Sequence, residues 1–212
     1  MPPNAAPARQ LLSPMSAQSA NSLRISLARA RGRARRDGTL VRDAQRGSAD
    51  AFEELFRRHW RRAHRAAFLV VGDASAAEDI AQESFLAAIR ALDRFDRRRP
   101  FAPWLHRITV NRAIDYARAR ALRAERAIAP GDETRVVERE AAGPGSDSIS
   151  EELIAALAEL SPDHRAVIVL RYLLDYTPGE IGEILGLPRG TVNSRLRRGL
   201  DQLRPAVSEE AR

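Results

Sequence analysis

Three polar side chains, Asp79, Gln82 and Glu83, follow one another at helical spacing within an acidic stretch of the chain. Residues 73–83 contain four acidic residues and no basic one, although arginine is abundant elsewhere. Positions i, i+3 and i+4 share one helix face, so the carboxylates of Asp79 and Glu83 could form an acid–base pair or ligate a metal. No His or Cys accompanies them. We therefore interpret the face as a docking surface for a basic partner, and we expect no metal, no cofactor and no enzymatic activity.

A second group of residues, near the end of the chain, is suited to binding DNA. Residues 189–204 contain five Arg and one Asp, whereas residues 151–188 contain seven acids and two Arg. Arginine attracts phosphates, and Arg and Asn can read purine edges in the major groove. Either this segment is a recognition helix or it is only a solvated charged helix, and the scarcity of interleaved acids favours the first. On a helical wheel Val192, Leu196, Leu200 and Leu203 share an apolar face, opposite Asn193, Ser194 and Arg197, with Arg189, Arg195 and Arg198 flanking.

A third group lies between residues 94 and 120, where eight Arg and two Asp occur. Aromatic residues are interleaved with these arginines, namely Phe95, Phe101, Trp104 and Tyr116. Bases of single-stranded nucleic acid stack on aromatic rings while the backbone follows positive charge. The segment is therefore a candidate for binding single-stranded DNA, although we interpret Trp104 itself as part of the core.

Helices must position these residues. Apolar periodicity predicts helices over residues 39–46, 50–71, 75–92, 104–120, 151–160, 177–185 and 189–203, with a further helix beginning after Ser161. In the third of them we expect Ile80, Phe85, Leu86, Ile89 and Leu92 to be buried. Thr177-Pro178-Gly179-Glu180 has the spacing of a capping box, and Gly186-Leu187-Pro188 ends that helix. Residues 177–203 are thus predicted to form a helix-turn-helix.

Composition limits the class of protein. The 212 residues include 44% hydrophobic but only 5% aromatic residues, with no Cys, which favours an all-α fold and excludes disulfides and thiolate catalysis. No apolar run is long enough to cross a membrane, so we expect no membrane insertion. The first 36 residues hold seven Arg and no acid, enough to account for the net charge of +7. Turn-forming residues rich in Gly and Pro separate two apolar segments, which predicts two small helical domains joined by a flexible linker.

The predicted organisation is a disordered basic tail, two domains, a linker between them and a short C-terminal tail. The ranges are 1–36 for the tail, 37–120 for the first domain, 121–149 for the linker, 150–204 for the second domain and 205–212 for the C-terminal tail.

These features, in this order, resemble the extracytoplasmic-function (ECF) branch of the sigma-70 family of RNA polymerase sigma factors. The region-two likeness rests on Ala77-Glu78-Asp79-Ile80-Ala81-Gln82-Glu83-Ser84-Phe85 and on Phe101-Ala102-Pro103-Trp104-Leu105. The region-four likeness rests on Leu160-Ser161-Pro162-Asp163-His164-Arg165 and on Gly190-Thr191-Val192-Asn193-Ser194-Arg195-Leu196. It covers roughly residues 37–120 and 150–204, and it implies a region-two domain followed by a region-four domain.

The resemblance implies a role for each group. It implies a cytoplasmic protein that binds core RNA polymerase, at the clamp helices of its largest subunit and at the flap, directs it to promoter DNA and helps to melt that DNA. An anti-sigma factor is a further candidate partner. The resemblance implies that core polymerase is bound by Asp79, Gln82 and Glu83. It implies that the minus-ten element of the promoter is contacted by Arg97, Arg98, Asn111, Arg112 and Arg118. It implies that the minus-thirty-five element is contacted by Arg189, Thr191, Asn193, Ser194, Arg195, Arg197 and Arg198.

Three residues depart from the family pattern. The family usually has Ala at the position of Gly182 and often at that of Gly199, and a helical Gly is less favourable by about 1 kcal/mol. It often has a basic residue at the position of Asn193, which leaves the promoter preference open.

Two other functions are possible for such a sequence. The first is a free-standing helix-turn-helix regulator, and the acidic face at residues 73–83 argues against it. The second is a sigma mimic that only sequesters a partner, and the arginine-rich face at residues 189–204 argues against that.

Overall fold

The computed structural model describes residues 37–127 and 151–210, and within these ranges it contains helices and no strand. The predicted tail, most of the predicted linker and the last two residues lie outside the described residues. The elements in chain order are α1 (37–44), α2 (Ala49–Val71), α3 (Ala74–Ala91), a 3₁₀ turn (Leu92–Arg94), α4 (Phe101–Ala127), α5 (Glu151–Glu159), α6 (Pro162–Ile168), a π-helical turn (Val169–Leu173), α7 (Pro178–Leu185) and α8 (Arg189–Glu210). The all-α prediction is confirmed.

Local signals in the sequence set several helix boundaries. Ser48 Oγ accepts a hydrogen bond from Ala51 N at 3.2 Å, and Asp73 Oδ1 accepts one from Ala76 N at 2.9 Å, so both side chains satisfy amides that a helix start leaves unpaired. Gly72 ends α2 with a left-handed φ of 69°. This conformation is open to glycine because it has no Cβ. Helices α2 and α3 are therefore joined by Gly72 and Asp73 alone, and these two residues determine where α2 ends and where α3 begins.

The predicted helix-turn-helix is formed by α7 and α8. Thr177 and Glu180 form the predicted capping box, in which Thr177 N donates to Glu180 Oε2 at 2.8 Å and Glu180 N donates to Thr177 Oγ1 at 3.3 Å. Gly186, with φ of 67°, ends α7. The caps thus fix where the turn falls between the two helices.

The first four helices enclose an aromatic core. Phe85, Phe101 and Leu105 are buried there, and Trp104 is half-buried with its ring 4.6 Å from that of Phe95. The interpretation of Trp104 as a core residue therefore holds for one side of its ring. Edge-to-face and tilted pairs such as these stabilise a core beyond the burial of area alone.

The buried side of α3 differs from the prediction. Leu86 and Ile89, which we expected to be buried, are 51% and 46% exposed. Small residues occupy the buried positions instead, because α3 packs closely against its neighbours through Ala77, Ala81 and Ala88, each 0% exposed. The apolar pair consequently lies on the surface of α3.

The largest apolar cluster joins residues from both halves of the chain. Val70, Ile80 and Val110 of α2, α3 and α4 share it with Leu170 and Val192 of the second half. The two helical domains that we predicted pack against each other, so that their cores are continuous in this structure. Moreover, α4 extends to Ala127 and α8 to Glu210, past the helix ends that we predicted at residues 120 and 203.

A buried arginine links the two halves. Arg165 of α6 is 8% exposed, and its guanidinium donates to Val70 O at 2.7 Å, to Ala158 O at 2.7 Å and to Leu160 O at 3.0 Å. These carbonyls lie at the C-terminal ends of α2 and α5, where the helix leaves them without an amide partner and the dipole favours a cation. Burial lowers the pKa of Arg165, yet a guanidinium stays charged in proteins.

A second buried polar contact crosses the same boundary. His106 Nδ1 of α4 and the Tyr176 hydroxyl share a hydrogen bond of 2.7 Å. Burial lowers the pKa of His106 from 6.5 to about 3, with smaller contributions from His59 and Arg62. Burial also raises the pKa of Tyr176, so both groups are neutral near pH 7.

The two unusual helical glycines should respond differently to substitution. A Cβ at Gly182 would lie 2.6 Å from the backbone oxygen of Leu187, whereas a Cβ at Gly199 would lie 2.7 Å from Ile168 Cδ1, the end of a flexible side chain. Because alanine favours a helix by about 1 kcal/mol, Gly199→Ala should leave the free energy of unfolding unchanged or raise it by up to about 1 kcal/mol. Gly182→Ala should lower it by about 1–3 kcal/mol, since backbone must move.

Denaturant unfolding of both variants beside the wild type checks this pair. Equal effects at the two positions would contradict the packing explanation.

Acid should destabilise the protein through His106. Its pKa is depressed in the folded state, so its contribution is fully present above pH 6.5 and is lost as the pH falls toward 3. We expect about 2 kcal/mol of this contribution to be lost between pH 7 and pH 5. Unfolding of His106→Gln should show a correspondingly smaller difference between these two pH values. An identical pH dependence in variant and wild type would refute the assignment.

Candidate functional site

The outer face of α8 carries exposed polar and cationic side chains. Its inner face is formed by Val192, Leu196 and Leu203, which are buried. Leu200, predicted on the apolar face, is 39% exposed, and the small Gly199 takes the buried position beside it. Five residues of the predicted minus-thirty-five set are exposed: Arg189, Asn193, Ser194, Arg197 and Arg198.

The exposed residues of α8 make few hydrogen bonds and ion pairs with the rest of the described chain. The side chain of Arg197 is 86% exposed, and its Nε lies 3.9 Å from Asp201 Oδ2. Ser194 Oγ donates to the backbone oxygen of Thr191 at 2.9 Å, and Thr191 is half-buried. An exposed guanidinium on the outer face of a helix is accessible to the major groove of DNA.

Arg195 differs from the other arginines of α8. It is half-buried, and its Nη1 donates to Asp163 Oδ1 of α6 at 2.8 Å. The structure therefore turns one of the predicted DNA contacts inward, against an acidic residue of the same unit.

The residues predicted to contact minus-ten DNA are spread along α4. Arg97 and Arg98 are exposed in the loop before this helix, and Arg98 N donates to Asp96 Oδ1 at 2.9 Å. Asn111 lies near the middle of α4 and Arg118 farther along it. At a rise of 1.5 Å per residue, the start of α4 and Arg118 are roughly 25 Å apart, so these residues do not form one pocket.

Arg118 faces the second half of the chain. Its Nη2 donates to both carboxylate oxygens of Asp163 at 2.8 Å, and its Nε donates to Oδ2 at 3.3 Å. Two-pronged pairing of this kind is the strongest geometry for an arginine and a carboxylate. Asp163 thus contacts one residue from each predicted DNA-binding set.

The acidic face on α3 is exposed as predicted. Asp79, Gln82 and Glu83 all lie on the surface, and Gln82 Nε2 donates to Glu78 Oε1 at 3.2 Å. Glu83 Oε2 accepts a hydrogen bond from Arg112 Nη1 at 2.8 Å, which joins a predicted docking residue to a predicted minus-ten residue.

Beside this face, a shallow groove of ≈ 480 Å³ runs between α3 and α4. Its lining includes Asp79, Glu83, Arg112, Asp115 and Tyr116. The groove is predominantly acidic, which suits a basic protein surface better than a nucleic acid.

Sequence reasoning missed the residues that join the two halves. Asp163 is part of a motif in the sequence but has no role assigned to it there, and nothing in the sequence singles out His106. Their partners are 45 and 70 residues away along the chain, so no local pattern could have identified these pairs. Across residues 37–127 and 151–210 no cluster of His, Asp and Glu is arranged to hold a metal ion, and none of the described helices is long and apolar enough to cross a membrane.

Two family models match the chain in the order that the motifs predict. Residues 55–123 match Sigma-70 region 2, and residues 156–205 match Sigma-70, region 4. The RNA polymerase sigma factor CarQ of Myxococcus xanthus is 35% identical over 166 residues, covering 77% of this chain and 92% of CarQ. The ECF RNA polymerase sigma factor SigW of Bacillus subtilis is 33% identical over 181 residues, covering 80% of this chain and 95% of SigW.

Solved structures show the same fold. CnrH in complex with the cytosolic domain of CnrY aligns with a TM-score of 0.61 and 29% identity, over 82% of this chain and 98% of CnrH. The sigma factor RpoE of Bartonella quintana, in complex with the anti-sigma factor NepR, aligns with a TM-score of 0.59 and 24% identity, over 74% of this chain and 96% of RpoE.

Proposed function

The chain belongs to the ECF RNA polymerase sigma factors of the sigma-70 family, and we propose that it binds core RNA polymerase, directs it to specific promoters and helps to melt their DNA. It acts as a binding subunit of the polymerase in the cytoplasm, and it performs no catalysis of its own. The observation that carries this proposal is the separation of two exposed surfaces of opposite charge, one on α3 and one on α8.

The acidic face on α3 is the proposed polymerase-docking surface. Asp79, Gln82 and Glu83 are exposed, and the apolar side chains of Leu86 and Ile89 continue the exposed surface along the same helix. Such a surface combines apolar side chains with charged ones. A protein interface needs both, because the apolar side chains form its centre and the charged groups select the partner. A free-standing DNA-binding regulator has no use for such a surface, which favours the sigma factor over that alternative.

The outer face of α8 is the proposed reader of minus-thirty-five DNA. Arg197 and Asn193 can donate to base edges, while Arg189 and Arg198 are positioned to contact phosphates. The minus-ten contacts fall to the loop before α4 and to the middle of that helix, where Arg97, Arg98, Asn111 and Arg112 lie.

Anti-sigma factors are proposed as a second class of partner. RpoE of Bartonella quintana was solved bound to one, and CnrH was solved bound to the cytosolic domain of CnrY. The shared fold supports a similar mode of control for this chain.

Removing the acidic face should weaken polymerase binding strongly. The triple variant Asp79→Ala, Gln82→Ala, Glu83→Ala should weaken co-elution with bacterial core polymerase by on the order of 100-fold in competition with the primary sigma factor, because it removes the charged groups that select a basic partner surface. The matched control is Asp50→Ala with Glu53→Ala, which removes two exposed acids from α2. Undiminished core binding by the triple variant would overturn the docking assignment.

Arg197→Ala should relax the promoter preference at one base pair. A two-pronged contact to a purine discriminates against other bases by about 1–3 kcal/mol, so affinity for the preferred sequence should fall while affinity for that position's variants stays nearly constant. Binding of isolated promoter variants by electrophoretic mobility shift measures this. Arg204→Ala, which removes an equally charged residue that also pairs with Asp201, is the control. Uniform weakening across all sequences would make Arg197 a phosphate contact.

A further inference from the structure

Asp163 is placed between the two halves of the molecule. Its Oδ1 accepts hydrogen bonds from Arg118 Nη2 of α4 and from Arg195 Nη1 of α8, both at 2.8 Å. The Asp163 side chain is 24% exposed, so these pairs are partly shielded from water. One carboxylate therefore neutralises an arginine from the first half and an arginine from the second.

The sequence resemblance assigns these two arginines to different DNA elements, Arg118 to the minus-ten set and Arg195 to the minus-thirty-five set. The minus-ten and minus-thirty-five elements are about 25 base pairs apart, which corresponds to roughly 85 Å along B-form DNA. Arg118 and Arg195 cannot contact elements so far apart while a single oxygen of Asp163 holds both of them. The arrangement in this structure is thus a closed form, distinct from the form that engages both elements.

Other contacts support the closed form without involving either DNA surface. Arg165 donates to Val70 O across the boundary, His106 contacts the Tyr176 hydroxyl, and the apolar cluster is continuous between the halves. The Asp163 contact differs from these because its partners, Arg118 and Arg195, can bind another anion in place of the carboxylate. DNA phosphates form the same charge-assisted, two-pronged contacts with arginine as a carboxylate does.

We propose that Asp163 is a latch that keeps this chain in a closed form by binding Arg118 across the boundary, and that it withholds Arg118 and Arg195 from DNA until promoter phosphates compete for them. The inference rests on the proposed function for what the two arginines bind, although closure itself can be measured without polymerase or promoter. Asp163 sits in the first turn of α6, whose N-cap is Ser161, so Asp163→Asn leaves the helix cap in place.

The distance between the halves tests the latch directly. Because the chain has no cysteine, a thiol-reactive spin label will attach only to cysteines that are introduced. We choose Glu53→Cys on α2 and Glu183→Cys on α7, since both positions are exposed. We expect one dominant short distance in the otherwise wild-type chain. In Asp163→Asn the population at longer distances should rise by about three- to tenfold, as expected for the loss of partly exposed ion pairs. Arg118→Gln should have the same effect, whereas Arg195→Gln should not, because Arg195 and Asp163 belong to the same half.

Asp201→Asn is the matched control. It removes the same charge from the same half, but Asp201 pairs with Arg197 and Arg204 inside α8 and not across the boundary. Affinity for non-specific duplex DNA should rise by about three- to tenfold in Asp163→Asn and by less in Asp201→Asn. A short-distance population unchanged by Asp163→Asn, or equal gains in DNA affinity for both variants, would overturn the latch.

The same variants separate this inference from the proposed function. If Asp163→Asn opens the chain but neither it nor the wild type binds core polymerase, the latch stands and the sigma-factor function fails. If both bind polymerase and the distance does not change, the function stands and the latch fails.

Discussion

The buried guanidinium of Arg165 is the interaction on which the arrangement of this molecule depends. A cation in an apolar interior is strongly unfavourable unless hydrogen-bond acceptors surround it. Here the acceptors are carbonyl groups that two helices, α2 and α5, leave unpaired at their C-terminal ends. One acceptor, Val70 O, comes from the first half of the chain and two come from the second, so the buried guanidinium has all three of them only when the halves are in contact. The apolar cluster around it then closes against water as a single core.

That closed arrangement divides the arginines of this chain into two groups with different consequences. Arg197 and Arg198 remain exposed on α8, as their proposed contact with DNA requires, while Arg118 and Arg195 are held by Asp163. The Asp163 contact is well aligned but partly exposed to water, so another anion such as a phosphate can replace the carboxylate. The buried contacts of Arg165 and the exchangeable contact at Asp163 are compatible because they lie at different depths in one interface.

The acidic face on α3 stays available in the closed arrangement. Asp79, Gln82 and Glu83 are exposed, and the small residues Ala77, Ala81 and Ala88 on the opposite side let α3 pack closely into the core. Close packing of alanines leaves Leu86 and Ile89 without a place inside, which turns two large apolar side chains toward solvent beside the charged face. The proposed docking surface is thus a consequence of how α3 is buried as well as of its acidic residues.

The sequence by itself determined the local structure of this protein, while the tertiary structure decided how the halves meet. The capping box at Thr177 and Glu180, the helix end at Gly72 and the charge asymmetry of α8 depend on residues a few positions apart, so periodicity and composition were sufficient to predict them. Motifs of the same kind were enough to indicate the family. The contacts by which Asp163, Arg165 and His106 cross between the halves join residues 45 to 95 positions apart. Such pairs arise from packing, which depends on all the helices together, and no local pattern encodes them.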